Sequence, residues 1–314
     1  MNRSAPWTIA DVLDFESLLS ADAAVPPERL RERDQALFVS QIEPKFPQGT
    51  ATANRHAVFR EWLEARRQQH TGMLPGEAYE TGRQTLMTVS VVLGLLSGIS
   101  VALGLLHYSG NEPINAMLFL AWTLGPQWLF LMGGLLFTIE RHTTRFLGRW
   151  GPLRALVAGL LWLFTTGMRK LPGEHRDALR AAIGGFGPKR DVYSPLITWP
   201  ILIVTQTFAV CFNLGVLGTV LVELPARELR FGWQTTLNVS PAQASRVVSA
   251  MATPWAGWAP HPYPSAQEVI ATRYAPGQAH WNLSGNALRA WWPFLCYSVL
   301  FYGLAVRLAL LLFA

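Results

Sequence analysis

Charge is scarce in these 314 residues: Lys, Arg, Asp and Glu together make 15% of the chain, against about 25% in a soluble globular protein. Half of the residues are apolar. That imbalance argues for a membrane protein and against a disordered chain. Cysteine is nearly absent, and two residues, Cys211 and Cys296, exclude a disulfide-stapled scaffold or a cysteine-built zinc module. Catalytic signatures are missing too: the seven histidines form no H-E-x-x-H pair, and no G-x-S-x-G elbow occurs. Gly184, Gly185, Gly187 and Lys189 imitate a phosphate loop. Pro188 interrupts them and Arg190 stands where Ser or Thr is required, so they read as a helix terminator. No cofactor and no nucleic-acid partner are expected, and an enzyme is not the favoured class.

What is present is apolar length. Leu86–Leu106 holds 21 residues without a charge, enough at about 1.5 Å rise per residue to cross a hydrocarbon core of about 30 Å. Residues 114–139 form a second uncharged run, interrupted by Pro126, and residues 197–221 a third, with Pro200 in its first turn. A fourth runs from Trp291 to Ala314 with one charge, Arg307. Leu153–Met168 is shorter and bordered by Arg149 and Arg154 on one side and Arg169 and Lys170 on the other. Positive charge at both ends predicts a helix lying on the inner face, with five spans as the alternative. The expected fold is therefore mainly α: four spans, a helical cytoplasmic region over 1–85, and a small α+β extracytoplasmic domain over 222–290.

Orientation follows from the basic residues. Ten lie in residues 1–85, none in 107–113, ten in 140–196 and five in 222–290. Basic loops stay inside, which predicts a multi-pass protein of a bacterial inner membrane with both termini cytoplasmic. No secretory signal peptide is expected, so the first span directs insertion. The 140–196 loop sets ten basic groups against Glu140, Glu174, Asp177 and Asp191. It is expected to face the anionic inner leaflet, each basic group near that surface contributing about 1 kcal/mol, or simply to enforce topology.

Outside the spans the pattern is mostly helical. Thr8 with Asp11 forms a capping box, a second helix is expected over Glu28–Ile42 before Pro44, and a third from about Arg55 to Gln69. About 80 residues of helix bury a core only marginally, so these faces call for a partner. Leu229 to Val239 alternates as one strand. Ser240 before Pro241 opens a helix with Ala244, Val247, Val248 and Met251 inward, and Ser265 with Glu268 opens another. Trp291 and Trp292 read as interfacial anchors. Trp233, Trp255 and Trp258 read as core or as an extracytoplasmic binding surface, with Trp281 sharing the choice.

Few residues carry candidate chemistry. Arg307 inside a span costs about 2.5 to 3.5 kcal/mol on insertion scales at the bilayer centre. Snorkelling to the headgroups, or pairing with Glu140, is the favoured reading over an ion pathway. Gly94 and Gly98 make a GxxxG suited to close helix contact, within the chain or with a second copy in a homo-oligomer. His261, Glu268 and His280 are the remaining metal candidates, with no spacing that demands a metal. Seven apolar residues follow Arg307, which leads to the expectation of a longer chain.

Several stretches together resemble a known family: Leu74-Pro75-Gly76, Glu112 to Leu120, Phe231 to Leu237, Tyr302-Gly303-Leu304 with Arg307, and Arg31 to Asp34. It is a bacterial inner-membrane family of unknown function whose genes often neighbour one for a predicted membrane-associated GTPase. The resemblance implies the four-span order and a GTPase as partner, and it supplies no catalytic residues. Two departures stand out: family members often carry Pro where Val306 stands, and usually continue past the fourth span. The resulting expectation is a non-enzymatic scaffold or sensor, with a transporter or channel component using Arg307 and Glu140 as the alternative.

Overall fold

Capping residues and prolines decide where the helices begin. The computed structural model describes residues 6–46, 54–107, 112–143, 190–274 and 285–313, without the side chains of 133–143 and 190–198. The chain forms two compact units, residues 1–86 with 158–200 and residues 87–157 with 201–314. The segment Leu153–Met168, the glycines 184, 185 and 187, His175, His280 and Trp281 lie outside the described residues.

In the first unit α1 (Ile9–Asp22) opens on the expected capping box, the Asp11 N–H donating to Thr8 Oγ1 at 3.1 Å and the Thr8 N–H to Asp11 Oδ2 at 2.9 Å. Helix α2 (Pro27–Leu37) is shorter than the sequence suggests, because the chain widens into a π turn over Phe38–Ile42 and then tightens over Glu43–Lys45. Pro44 has no N–H to give, and its ring crowds the carbonyl four residues back, which a regular α turn cannot accommodate. Helix α3 spans Arg55–Gln69.

The apolar core of this unit is small: Leu18, Leu63 and Leu74 with Trp7, Phe15 and Trp62 around them. Ion pairs supply the rest. Asp11, Asp14 and Asp22, all on α1, are buried. Asp22 accepts both arms of the Arg33 guanidinium, at 2.7 and 2.8 Å, and Arg66 at 2.9 Å. Arg67 reaches Asp14 at 2.7 Å and Asp11 at 2.9 Å. Asp14 also accepts the Gly76 N–H at 2.6 Å, and a side chain at Gly76 would strike the Asp14 carboxylate and the Ala10 carbonyl. The charge-assisted fork on Asp22 holds its carboxyl below the usual carboxylate range. Burial pushes Asp11 upward, but the Thr8 hydrogen bonds and Arg67 outweigh it and leave that carboxyl lowered as well.

Long helices dominate the rest: α4 (Pro75–Leu105), α5 (Ala116–Thr143) and α6 (Arg190–Ala226). After the shorter α7 (Pro241–Ala252), α8 (Ala266–Ala271) and α9 (Gly285–Arg289), helix α10 (Trp291–Ser298) passes through a π stretch, Val299–Ala305, into α11 (Val306–Phe313). Among the described residues three helical stretches, Pro75–Leu105, Trp199–Ala226 and Gly285–Phe313, are long and apolar enough to cross a membrane. In α5 the apolar stretch Ala116–Met132 is shorter.

The strand expected over Leu229–Val239 shrinks to two residues. β1 (Ile114–Asn115) pairs in parallel with β2 (Phe231–Gly232), and a bridge links Trp233 to Arg273. Its partner is what ends it: Asn115 Oδ1 accepts the N–H groups of Met117 and Leu118, so the chain turns into α5 and offers no further ladder. Leu237, on the same side of the expected strand as Phe231 and Trp233, is 70% exposed. The predicted Ser265–Glu268 capping box forms, and Ser240, expected only to open a helix, makes a further one with Gln243. Helix α7 buries Ala244 and Val248, whereas Val247 turns outward at 54% exposure.

Candidate functional site

Gln127, Gln206, Asn213 and Arg307 are polar residues within otherwise apolar helices, and the fold brings all four together. Pro126 sits in the middle of α5, where a missing N–H disturbs the helical hydrogen bonds. Next to it, Gln127 folds its side chain back so that Nε2 donates to the Thr123 carbonyl at 2.7 Å, while the Thr123 hydroxyl donates to the Phe119 carbonyl at 2.7 Å. Across the gap to α6, Gln127 and Asn213 form a reciprocal amide pair. Asn213 Nδ2 donates to Gln127 Oε1 at 2.8 Å, and Gln127 Nε2 donates to Asn213 Oδ1 at 3.0 Å. The second Nδ2 hydrogen goes to the Ala209 carbonyl at 2.7 Å. Every amide donor of the pair is thus used, as a buried polar group requires.

Gly303, in the π stretch, lies so close to Asn213 that a Cβ there would fall on its amide oxygen. One turn further on, Arg307 is 5% exposed and enters the same layer. Its Nη2 donates to the Gln127 carbonyl at 2.6 Å and its Nη1 to Gln206 Oε1 at 3.1 Å. Among the described residues both partners are uncharged. The snorkelling reading does not describe this arginine, whose guanidinium points between helices. Nor does the backbone favour Glu140, whose side chain lies outside the described residues. Glu140 stands thirteen residues beyond Gln127 on α5, about 20 Å along the axis. An arginine and a glutamate side chain together do not span that distance.

Gly94 and Gly98 face α6 directly. A Cβ on Gly94 would meet the Phe208 carbonyl at 2.6 Å, one on Gly98 would fall on the Phe212 carbonyl, and one on Gly215 would meet the Leu95 carbonyl at 2.6 Å. The GxxxG thus lies in a contact within the chain, where small residues let two backbones approach.

The tryptophans divide. Trp233 and Trp255, read as a surface with Trp258, are 1% and 0% exposed. Trp233 donates to the Val269 carbonyl at 2.7 Å beneath the Arg273 guanidinium, and Trp255 to the Pro262 carbonyl at 2.8 Å. Burial with a satisfied indole N–H makes both core residues. Trp258 alone of the three stays exposed, at 64%. Trp291, expected at the headgroups, is fully buried and donates to Thr272 Oγ1 at 2.9 Å, while Trp292 is 40% exposed. Glu268 is engaged at the α8 cap, where its carboxylate accepts the Ser265 N–H at 2.7 Å. His261 sits at a positive φ of 47°. Among the described residues no group of three His, Cys, Asp or Glu side chains is placed to hold a metal.

Sequence reasoning singled out Arg307 and passed over Gln127, Gln206 and Asn213. A signal was present. Gln206 and Asn213 are seven residues apart in an uncharged run, two turns on one helical face, and Gln127 adjoins the only proline inside α5.

A polar layer buried among long apolar helices is the mark of a helical membrane protein. Residues 166–314 match the family model described as "Protein of unknown function (DUF2868)". The chain is also 26% identical, over 93% of its length, to a protein of Neisseria meningitidis serogroup B named an uncharacterized membrane protein. It spans about half the length, 54%, of that relative. No solved structure matches.

Proposed function

We propose that this chain is a four-span scaffold or sensor of a bacterial inner membrane, without catalytic activity, whose cytoplasmic helical unit engages a partner protein. What carries the reading is the alignment of the uncharged runs. Between flanking Asp, Glu, Arg or His residues these runs cover 84–106, 113–139 and 192–222, with midpoints at Leu95, Pro126 and Thr207. Leu95 meets Gly215, Gln127 meets Asn213, and Gln206 meets Arg307. Counted along α6, these contacts span Gln206 to Gly215, about 14 Å of helix. Four helices sharing one mid-depth layer support four spans in one bilayer, α5 included. The layer favours a scaffold because its amides satisfy one another and tie α5 to α6, while Arg307 adds the last helix.

Both termini are then cytoplasmic, and the basic 140–196 loop lies against the anionic inner leaflet. The partner in this reading is a cytoplasmic protein, with a GTPase suggested by the family resemblance. Crosslinking in native membranes, followed by identification of what is attached, tests it. Recovery of a cytoplasmic protein joined to α1–α3 is the expected result, and no partner on that unit would remove the scaffold.

One observation favours a second reading as a transporter or channel component: a guanidinium at mid-depth with uncharged partners. Reconstituted vesicles test it, since a solute flux abolished by Arg307→Gln supports transport and no Arg307-dependent flux rejects it.

A further inference from the structure

We infer that residues 247–260, which follow α6 and precede the last helix, insert into the lipid hydrocarbon on the Trp291 side of the bilayer, with Trp258 facing acyl chains. This rests on the reading of Gly285–Phe313 as a membrane span. The depth comes from the mid-layer. Gly303 meets Asn213 and Arg307 meets Gln206, which puts the middle of the bundle near residue 305 of the last helix. At about 1.5 Å per residue, Phe301 lies about 6 Å from that level and Tyr297 about 12 Å, both within the roughly 15 Å half-thickness of a hydrocarbon core. Trp291, at about 21 Å, lies beyond it.

Trp255 stacks on Tyr297 and Phe301, with ring centroids 5.8 and 5.3 Å away, and Trp258 packs on the same two rings at 5.9 and 6.2 Å. The Tyr302 hydroxyl donates to the Met251 carbonyl at 2.8 Å. The segment carrying these groups therefore occupies the depth of Tyr297 to Tyr302.

Two independent features fit that position. From Val247 to Gln267 there is no Asp, Glu, Lys or Arg. Around Trp255 the backbone also pairs with itself, as hydrocarbon favours. The Trp255 and Ala256 N–H groups donate to the Ala252 carbonyl, those of Trp258 and Ala259 to the Trp255 carbonyl, and the Trp258 indole to the Pro254 carbonyl. Up to Pro260 the large side chains that stay exposed are apolar, Val247 at 54% and Trp258 at 64%, beside Leu300 at 37% on the last helix, and the Thr253 hydroxyl donates to the Ala250 carbonyl at 2.7 Å; the exposed polar residues His261, Ser265 and Gln267 lie beyond that stretch.

Spin labels on the full chain in lipid vesicles test this, in a background with Cys211→Ala and Cys296→Ala. Gly257→Cys is the probe, because a Cβ there meets nothing within 4 Å. Leu300→Cys reports the span and Glu228→Cys the aqueous side. The expected result is that Gly257→Cys and Leu300→Cys both collide more with dissolved oxygen than with a water-soluble nickel chelate, the reverse of Glu228→Cys. If Leu300→Cys is lipid-exposed and Gly257→Cys behaves like Glu228→Cys, the insertion is overturned while the span stands. If Leu300→Cys is itself in water, the span reading falls and takes the insertion with it.

Discussion

Removing one half of the Gln127–Asn213 amide pair should cost more than removing both. Two hydrogen bonds, at 2.8 and 3.0 Å, cross between α5 and α6, and interhelical bonds in membrane proteins average about 0.6 kcal/mol with a maximum near 1.7. Asn213→Leu deletes both and leaves the Gln127 Oε1 without a donor in an apolar bundle, adding about 1 to 3 kcal/mol. Gln127→Met does the same to Asn213. In the double variant neither amide is orphaned, so the coupling energy is the two bonds counted once plus both orphan costs, at least about 3 kcal/mol, a factor of roughly 150 or more in the unfolding equilibrium. The local bond from Gln127 to the Thr123 carbonyl is lost in two corners of the cycle and cancels. Unfolding by steric trapping in bicelles, or reversible detergent titration followed by circular dichroism, measures all four corners. Single-variant costs that add to within about 0.5 kcal/mol would refute the pairing.

Further expectations follow from other parts of the structure. Arg307→Leu should improve membrane insertion of the isolated last helix by about 2.5 to 3.5 kcal/mol in a glycosylation-mapping assay; little change would put the guanidinium at the headgroups instead. Gly98→Leu forces α4 away from the Phe212 carbonyl and should destabilise by about 1 to 3 kcal/mol. Gly104→Leu, where an added Cβ meets nothing within 4 Å, should be near neutral in the same thermal melt. Asp14→Ala strips one of two buried carboxylates from Arg67 and the acceptor from the Gly76 N–H. It should cost the first unit about 3 kcal/mol, read as faster proteolysis between α1 and α3 in the full chain. Asp11 and Asp22 have folded pKa values below their ordinary 3.8. Their stabilisation is therefore complete above about pH 4 to 5 and is lost as the pH falls through the folded values. An acid titration of N-terminal protease resistance should show that loss, and Asp22→Asn should flatten it.

Much of this architecture was written locally. All three capping boxes rest on side chains three residues apart, and α3 on a run with helical spacing, so nothing distant can displace them. The strand was misread because its length depends on a partner more than a hundred residues earlier, and Asn115 turns that partner into a helix after two residues. Trp233, Trp255 and Trp291 were ambiguous for a related reason. An indole serves equally in a core, on a binding surface or at headgroups, and its choice depends on whether a carbonyl or hydroxyl meets its N–H. In the first unit the shortage of apolar core was legible. Its remedy, three buried aspartates clasped by arginines from α2 and α3, was not, because opposite charges scattered along a sequence look the same whether they pair or face water.

The sequence alone determined that this is a helical membrane protein with long uncharged segments and one anomalous arginine, since hydrophobic length and a lone charge are properties of consecutive residues. Only the tertiary structure decided what that arginine touches. Gln127 and Gln206 lie about 180 and 101 positions away from Arg307 along the chain, and their shared layer exists only once three helices pack at a common depth, Gly303 allowing the last of them close enough for the guanidinium to reach.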